Sequence, residues 1–148
     1  MDLKEMYKAM VNSPTTYLSG AITAAVKTIP LVNAAVLPEA PNIATIGYGE
    51  GAETIYYAEK DGNTLKNVTR GFQGSAKAWP ATETPVARLY TAYDLDSAIY
   101  NVLALNTGVR NHLESGKPHV MEGSSVKYGF KLNDVGTVSI IYDEEVQP

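Results

Sequence analysis

The chain has 148 residues, a formal net charge of -4 and no cysteine. This length allows one ordinary hydrophobic core or two small units that share an interface. The acidic balance provides no cluster of Lys and Arg to bind phosphates, so we expect no nucleic-acid partner. The lack of cysteine excludes disulfides, zinc ribbons, iron–sulfur clusters and thiol nucleophiles.

The N-terminal segment has the periodicity of a short helix. Its apolar residues recur at helical spacing between charged ones and are Leu3, Met6, Tyr7 and Met10. Pro14 ends the pattern, because the residue before a proline is disfavoured in the α region. A helix of about ten residues is marginal alone. It therefore needs a surface to lie on, either of its own domain or of a neighbouring subunit.

The same segment bears on localisation. Charged residues interrupt the stretch that would be apolar in a signal peptide, and no run reaches the roughly 18 apolar residues of a membrane span. We therefore expect a protein that is made in the cytoplasm, is not secreted through a signal peptide and has no membrane partner.

Residues 15–90 have the pattern of a β module, with short apolar runs separated by Gly and Pro. The predicted strands lie at 17–22, 28–32, 43–47, 53–59, 64–70 and 85–89. Asp61 and Gly62 predict a type I′ hairpin turn, because glycine supplies the positive φ angle that this turn needs. Further positions predicted to form turns are Arg70, Gly71 and Gly74. The pattern is typical of a small β-sandwich or a partly open barrel.

The period changes from two to about 3.6 at Thr91. Thr91 and Asp94 match a capping box, and the stretch from Asn106 to Gly108 provides a stop. These signals predict a helix over about 92–105. Its apolar face is wide, so the helix is either clamped between two β parts or packed against equivalent helices of other subunits.

Alternating apolar residues at 126–132 and 138–142 predict a C-terminal β-hairpin with one apolar face. The expected fold is therefore α+β and mainly β. We predict four parts in chain order, namely an N-terminal docking helix at 1–13, a β module at 14–90, a linking helix at 91–108 and a hairpin unit at 109–148.

The polar residues give no pattern of a chemical site. His112 and His119 are the only histidines, and two histidines with one scattered carboxylate fall short of the three or four ligands of a metal centre. Asp94 and Asp96 suit a helix start, where the macrodipole favours negative charge. Glu53 and other hairpin carboxylates show no reason to form a catalytic pair. We expect no catalytic residue, no metal and no cofactor.

The ten tyrosines are the one compositional excess, and tyrosine supplies large contact area at protein interfaces. Together with the wide helix face, they favour a homo-oligomer, with a trimer as the favoured state. The candidate interface residues are Leu3, Met6, Tyr7, Met10, Tyr56, Tyr57, Tyr93 and Tyr100.

One pattern within residues 17–90 resembles a known family. It runs as Glu-x-Ile-x-Tyr at 53–57, a turn, and then Leu-x-x-Val-Thr-Arg-Gly-x-x-Gly-Ser at 65–75. This resembles a small β module of tail-fibre and baseplate-associated proteins of tailed bacteriophages. The resemblance implies a non-enzymatic virion protein of the tail, baseplate or fibre attachment, assembled in the host cytoplasm, whose partners are other virion structural proteins. The alternatives are a capsid decoration or head-fibre protein and, more remotely, a cell-wall or carbohydrate-binding accessory.

Overall fold

The computed structural model describes residues 2–81, 83–114, 119–122, 127–132 and 135–142. The fold is mainly β with one α-helix, which confirms the predicted α+β class. Contacts divide the chain into two units, one of residues 4–98 and one of residues 1–3 with 99–148. Each unit contains one antiparallel sheet.

The first sheet has six strands in the order β1-β6-β3-β4-β5-β2, and every pair of neighbours is antiparallel. The strands are β1 Thr15–Tyr17, β2 Ile29–Pro30, β3 Asn42–Ile46, β4 Glu53–Asp61, β5 Thr64–Gln73 and β6 Pro85–Ala87. Short 3-10 helices lie at Ala34–Val36 and Gly49–Gly51. The two edge strands, β1 and β2, lie close to each other. The Val32 amide, just after β2, donates to the carbonyl of Tyr17 in β1 at 2.9 Å. The sheet is therefore curled into a half-barrel, as one of the two predicted architectures requires.

Side chains on one face of the half-barrel form the hydrophobic core. Its buried members are Leu18, Ile22, Ile29, Leu31, Ala34, Leu37, Ala44, Ile46, Ile55, Tyr57, Leu65, Val68 and Val86. In β4 the alternation is clear, since Ile55 and Tyr57 are fully buried while Tyr56 points to the opposite face. Tyr57 also donates its hydroxyl to the Pro38 carbonyl at 2.8 Å. The prediction that Tyr57 belongs to an interface is wrong, because adjacent strand residues cannot both face outward.

The hairpin turn between β4 and β5 is one residue further along than predicted. Asp61 pairs with Thr64, so the loop residues are Gly62 and Asn63. Gly62 has a φ angle of 54°, whereas Asn63 is not in the positive-φ region. Positive φ at only the first loop position is the type II′ pattern, not the predicted type I′. Asn63 stays in the turn because its side chain accepts from the Ala34 amide at 3.0 Å.

The corner predicted at Gly71 lies inside β5 as a bulge. Thr54 pairs with Gln73 and Tyr56 pairs with Thr69, so β4 advances by two residues where β5 advances by four. Gly71 has a φ angle of 61° within this stretch, as expected for a bulge that needs a left-handed residue. The chain leaves the strand at Gly74, whose φ angle is 78°.

Gly62 and Gly74 provide a matched pair of substitutions, because both have positive φ but different surroundings. An added Cβ would meet nothing within 4 Å at Gly62, whereas at Gly74 it would lie 2.9 Å from the Ala52 carbonyl oxygen. Gly62→Ala should lower the free energy of unfolding by about 1 kcal/mol, the cost of the left-handed backbone. Gly74→Ala should lose clearly more. Urea denaturation of both variants tests this, and equal losses would contradict the role of the Ala52 contact.

The predicted N-terminal helix is absent from residues 2–10, which form no regular secondary structure. The Tyr7 and Lys8 carbonyls instead accept hydrogen bonds from the guanidinium of Arg88, each at 3.1 Å. A helix would need these same carbonyls for amides four residues later. Because a helix this short gains few hydrogen bonds of its own, docking on Arg88 in a non-helical form is the better alternative. The segment thus completes the 4–98 unit.

The α-helix, α1, spans Ala92–Glu114 and continues nine residues beyond the predicted end at 105. Half of the predicted capping box is formed, since the Thr91 amide donates to Asp94 Oδ2 at 2.8 Å. The Thr91 hydroxyl does not accept from the Asp94 amide as predicted, but donates to Asp94 Oδ2 at 2.9 Å. The predicted stop at Gly108 fails because one glycine costs a helix only about 1 kcal/mol, and Gly108 is partly covered.

The second sheet contains the predicted C-terminal hairpin. Its strands are β7 His119–Glu122, β8 Lys127–Leu132 and β9 Val138–Tyr142, in the order β7-β8-β9. Phe130 pairs with Ile140, in the middle of the β8–β9 register. The strand β7 was not predicted from the sequence. Val138 and Ile140 are exposed, so part of the apolar pattern of β9 faces outward.

Candidate interaction surfaces

Glu53 is the centre of a buried polar cluster that includes three residues of the pattern at 53–75. Its carboxylate is fully buried and accepts two hydrogen bonds from Arg70, each at 2.7 Å. The bulge at Gly71 turns that residue's amide toward Glu53 Oε1 at 2.8 Å, and Trp79 Nε1 donates to Oε2 at 3.0 Å. The motif residues Glu53, Arg70 and Gly71 therefore meet at one point although 17 residues separate the first two.

The electrostatics of this cluster indicate a structural role. Burial alone would raise the pKa of Glu53, but hydrogen bonds from Arg70, Trp79 and Gly71 outweigh it and hold the pKa below its ordinary value. Arg70 is itself anchored, since it also donates to the carbonyls of Thr23 and Lys77. A carboxylate that is ionised and saturated with donors is not available as a general acid or base.

Trp79 closes this cluster. An added Cβ at Gly47 would lie 2.3 Å from the Trp79 ring, so only glycine allows the ring to lie there. Gly47 also has a φ angle of 80°. Lys77 Nζ lies 4.2 Å from the centroid of the ring, in cation–π geometry. These contacts use the tryptophan for packing.

Arg88 is the centre of a second cluster, which sequence reasoning did not identify. Its guanidinium is almost fully buried and pairs with Asp94 at 2.5 Å, while Nε donates to Asn42 Oδ1 at 3.0 Å. Burial opposes ionisation of Asp94, but bonds from Arg88 and Thr91 hold its pKa below the ordinary value. The signal in the sequence was an arginine directly after the short apolar strand β6, where a charge needs partners.

Three of the predicted interface tyrosines form an aromatic cluster with Phe72. Tyr7 stacks on Tyr93 with ring centroids 5.7 Å apart, and Phe72 meets Tyr93 edge-on at 4.8 Å. Tyr56 lies 5.8 Å from Tyr7. All three tyrosines are half-buried. Much of their area is therefore used within the 4–98 unit, where it holds the N-terminal segment against the sheet.

The remaining predicted interface residues are more accessible. Leu3, Met6 and Tyr100 are exposed, and Met10 is half-buried. Tyr100 belongs to a group of exposed apolar side chains on α1.

The exposed apolar face of α1 is the most unusual surface of the chain. Seven large side chains on this helix are between 45% and 65% exposed, and they are Leu95, Ile99, Tyr100, Val102, Leu103, Leu105 and Val109. The covered side holds smaller or polar residues, since Ser97 and Asn101 are buried and Ala104 and Gly108 are half-buried. A monomer in water normally places these two sets the other way round.

A surface depression of about 680 Å³ offers a second patch, at the meeting edges of the half-barrel. Its lining residues are Tyr17, Leu18, Val32, Tyr48, Ala81 and Glu83. Tyr17, Val32 and Tyr48 are exposed. The lining contains a single carboxylate, whereas two-carboxylate hydrolysis needs a pair across the cleft. The patch is therefore suited to contact rather than to that chemistry.

The side chains of His112 and His119 lie outside the described residues. Among the residues that the structure does describe, no three or more His, Cys, Asp or Glu side chains converge as metal ligands would. Within the same ranges, no helix has both the length and the hydropathy to cross a bilayer. Comparison of the chain with protein-family models, with curated proteins and with solved structures finds no match.

Proposed function

We propose that this chain is a non-enzymatic structural component of a phage particle, a tail, baseplate or fibre-attachment protein that acts through protein–protein interfaces. The observation that carries the proposal is the apolar face of α1, on which seven large side chains are about half exposed or more. Exposed apolar surface of this size marks an interaction site. The resemblance of residues 53–75 to the phage module is the reason for proposing a phage particle as the assembly.

The buried charges support a structural role as well. Glu53 is paired with Arg70, and Asp94 is paired with Arg88, each within a set of short hydrogen bonds. The first pair joins residues 17 positions apart. The second pair is local, but Arg88 also binds the Lys8 carbonyl and Asn42, which are distant in the sequence. Both clusters therefore hold parts of the half-barrel unit together. Charges that would attract attention as catalytic candidates therefore have a role in the fold.

The partners in this proposal are other virion structural proteins and further copies of the same chain. The two exposed apolar regions, α1 and the patch around Tyr48, belong to different parts of the fold. A component that joins two neighbours needs at least two such contact regions. We propose that α1 contacts further copies of the chain and that the patch around Tyr48 contacts another virion structural protein.

Gold labelling of intact particles tests the location. An antibody against this chain should label the tail end of purified particles of the phage that encodes it. Label on the head would instead favour the capsid decoration or head-fibre alternative and overturn the tail assignment. A particle without label, combined with labelling of a lysate control, would contradict a virion role altogether.

A further inference from the structure

We infer that α1 joins copies of this chain as a parallel, in-register three-helix coiled coil. This inference goes beyond the proposed function and does not depend on it, because it concerns only the chain's contact with itself. It rests on the spacing, exposure and charge of the residues along one helix.

Four of the seven exposed apolar side chains of α1, together with Asn106, follow a heptad pattern, while Tyr100, Leu103 and Leu105 lie beside it. Starting at Leu95, steps of four, three, four and three residues lead to Ile99, Val102, Asn106 and Val109, all of which are exposed. The next step of four reaches Leu113 in the sequence. Steps that alternate between three and four define the a and d positions of a coiled coil. The exposed face therefore has the spacing that packs against another helix, in addition to its apolar character.

The second copy is the occupant that this pattern selects. We call the line of a and d positions along α1 the seam. Asn106 is its one polar residue and occupies an a position. In a parallel, in-register assembly it meets the same residue of its neighbours, with which an amide can form hydrogen bonds. A different apolar helix would leave this amide without a partner, at a cost in free energy. A buried Asn at an a position commonly fixes register.

The charges permit the same parallel arrangement. Between neighbouring parallel helices, g positions face e positions five residues later. Those pairs are Thr91 with Asp96, Ala98 with Leu103 and Leu105 with Arg110. None of the three pairs brings like charges together. Self-association through this seam therefore meets no electrostatic opposition at its flanks.

The residues at the a and d positions of the seam favour three strands over two. Two-stranded coils prefer Leu at d, whereas β-branched residues at both a and d favour trimers. Here Ile99 occupies an a position, and Val102 and Val109 occupy two of the three d positions, with Leu95 at the first d position. Leu103 and Leu105 widen the face at e and g and are also exposed.

Light scattering on the purified full chain, at high micromolar concentration, tests the inference. We expect a mass of about three chains of 15.9 kDa for the natural sequence. Val102→Lys, on the seam, should give the mass of one chain, while the matched control Thr107→Lys, exposed on the outer side, should keep the mass of the assembly. Because both positions are exposed, both variants should retain the circular dichroism of the natural chain.

A cysteine cross-link tests the parallel register. The chain has no natural cysteine, so Leu95→Cys introduces a single thiol near one end of the helix. Parallel helices bring these thiols together, and oxidation should form covalent dimers within the assembly, whereas Thr107→Cys should cross-link several-fold less. A monomeric natural chain, or a Val102→Lys variant that keeps the assembled mass, would overturn the inference. A mass of two chains would overturn the trimer, and failure of Leu95→Cys to cross-link would overturn the parallel register.

Discussion

Replacing Arg70 with methionine is expected to lower the free energy of unfolding by about 3–5 kcal/mol, because it leaves the Glu53 carboxylate buried without its cation. Glu53 is fully buried and Arg70 is nearly so. The bonds from Trp79 and Gly71 would remain but cannot neutralise the charge. Urea denaturation followed by tryptophan fluorescence measures the loss, and Trp79 is the only tryptophan.

Two controls identify the cause of this loss. Lys66 lies in β5, as Arg70 does, and forms an exposed ion pair with Asp61. Lys66→Met removes the cation of that pair and should leave the urea midpoint almost unchanged. Adding Glu53→Gln to Arg70→Met should recover part of the stability, since it removes the unpaired charge. If the double variant is less stable than Arg70→Met alone, the buried charge is not what destabilises the single variant.

The Glu53–Arg70 pair makes the free energy of unfolding depend on pH. The pKa of Glu53 is lower in the folded chain than its ordinary value, so its contribution is present above the unfolded pKa of about 4.3. That contribution is lost as the pH falls through the lower, folded pKa. Stability should therefore be nearly constant from about pH 7 to pH 5 and decrease below about pH 4.

Replacing Arg88 with methionine is expected to have the second large effect, a loss of about 3 kcal/mol or more, because Asp94 would lose its buried partner. Arg88 also donates to the carbonyls of Tyr7 and Lys8. The variant should therefore release the N-terminal segment, and trypsin should cleave after Lys4 and Lys8 faster than in the natural chain.

Lys27→Met is the matched control for Arg88→Met, because Lys27 is exposed on the same unit. It should change neither the urea midpoint nor the rate of cleavage near the N-terminus. Natural cleavage rates in Arg88→Met, under conditions where that variant remains folded, would show that the aromatic contacts of Tyr7 hold the segment without the arginine.

Local patterns predicted the elements whose signals are themselves local. The β4–β5 hairpin, the start of α1 after Thr91 and the C-terminal hairpin each follow from neighbouring residues, and all three are present. The errors arose where distant residues decide. The non-helical form of the N-terminal segment depends on Arg88, which lies 80 residues beyond Lys8. The turn moved to Gly62-Asn63 because Asn63 binds Ala34.

The interaction surfaces were predictable only in part. Tyr57 was placed on an interface because tyrosine is common there, although the period of two puts Tyr56 and Tyr57 on opposite faces of β4. The sequence predicts that the apolar face of α1 is wide, but it does not predict that this face is exposed. Exposure depends on which side of the helix the rest of the chain covers, and here the covered side includes Ser97 and Asn101.

Quantitative mass spectrometry of gradient-purified particles tests the central claim most directly. The structural role predicts that peptides of this chain remain in the particles after a high-salt wash, at a fixed ratio to the major tail protein and in a copy number divisible by three. Recovery of the chain only from the soluble fraction of the lysate, with none in infectious particles, would contradict it.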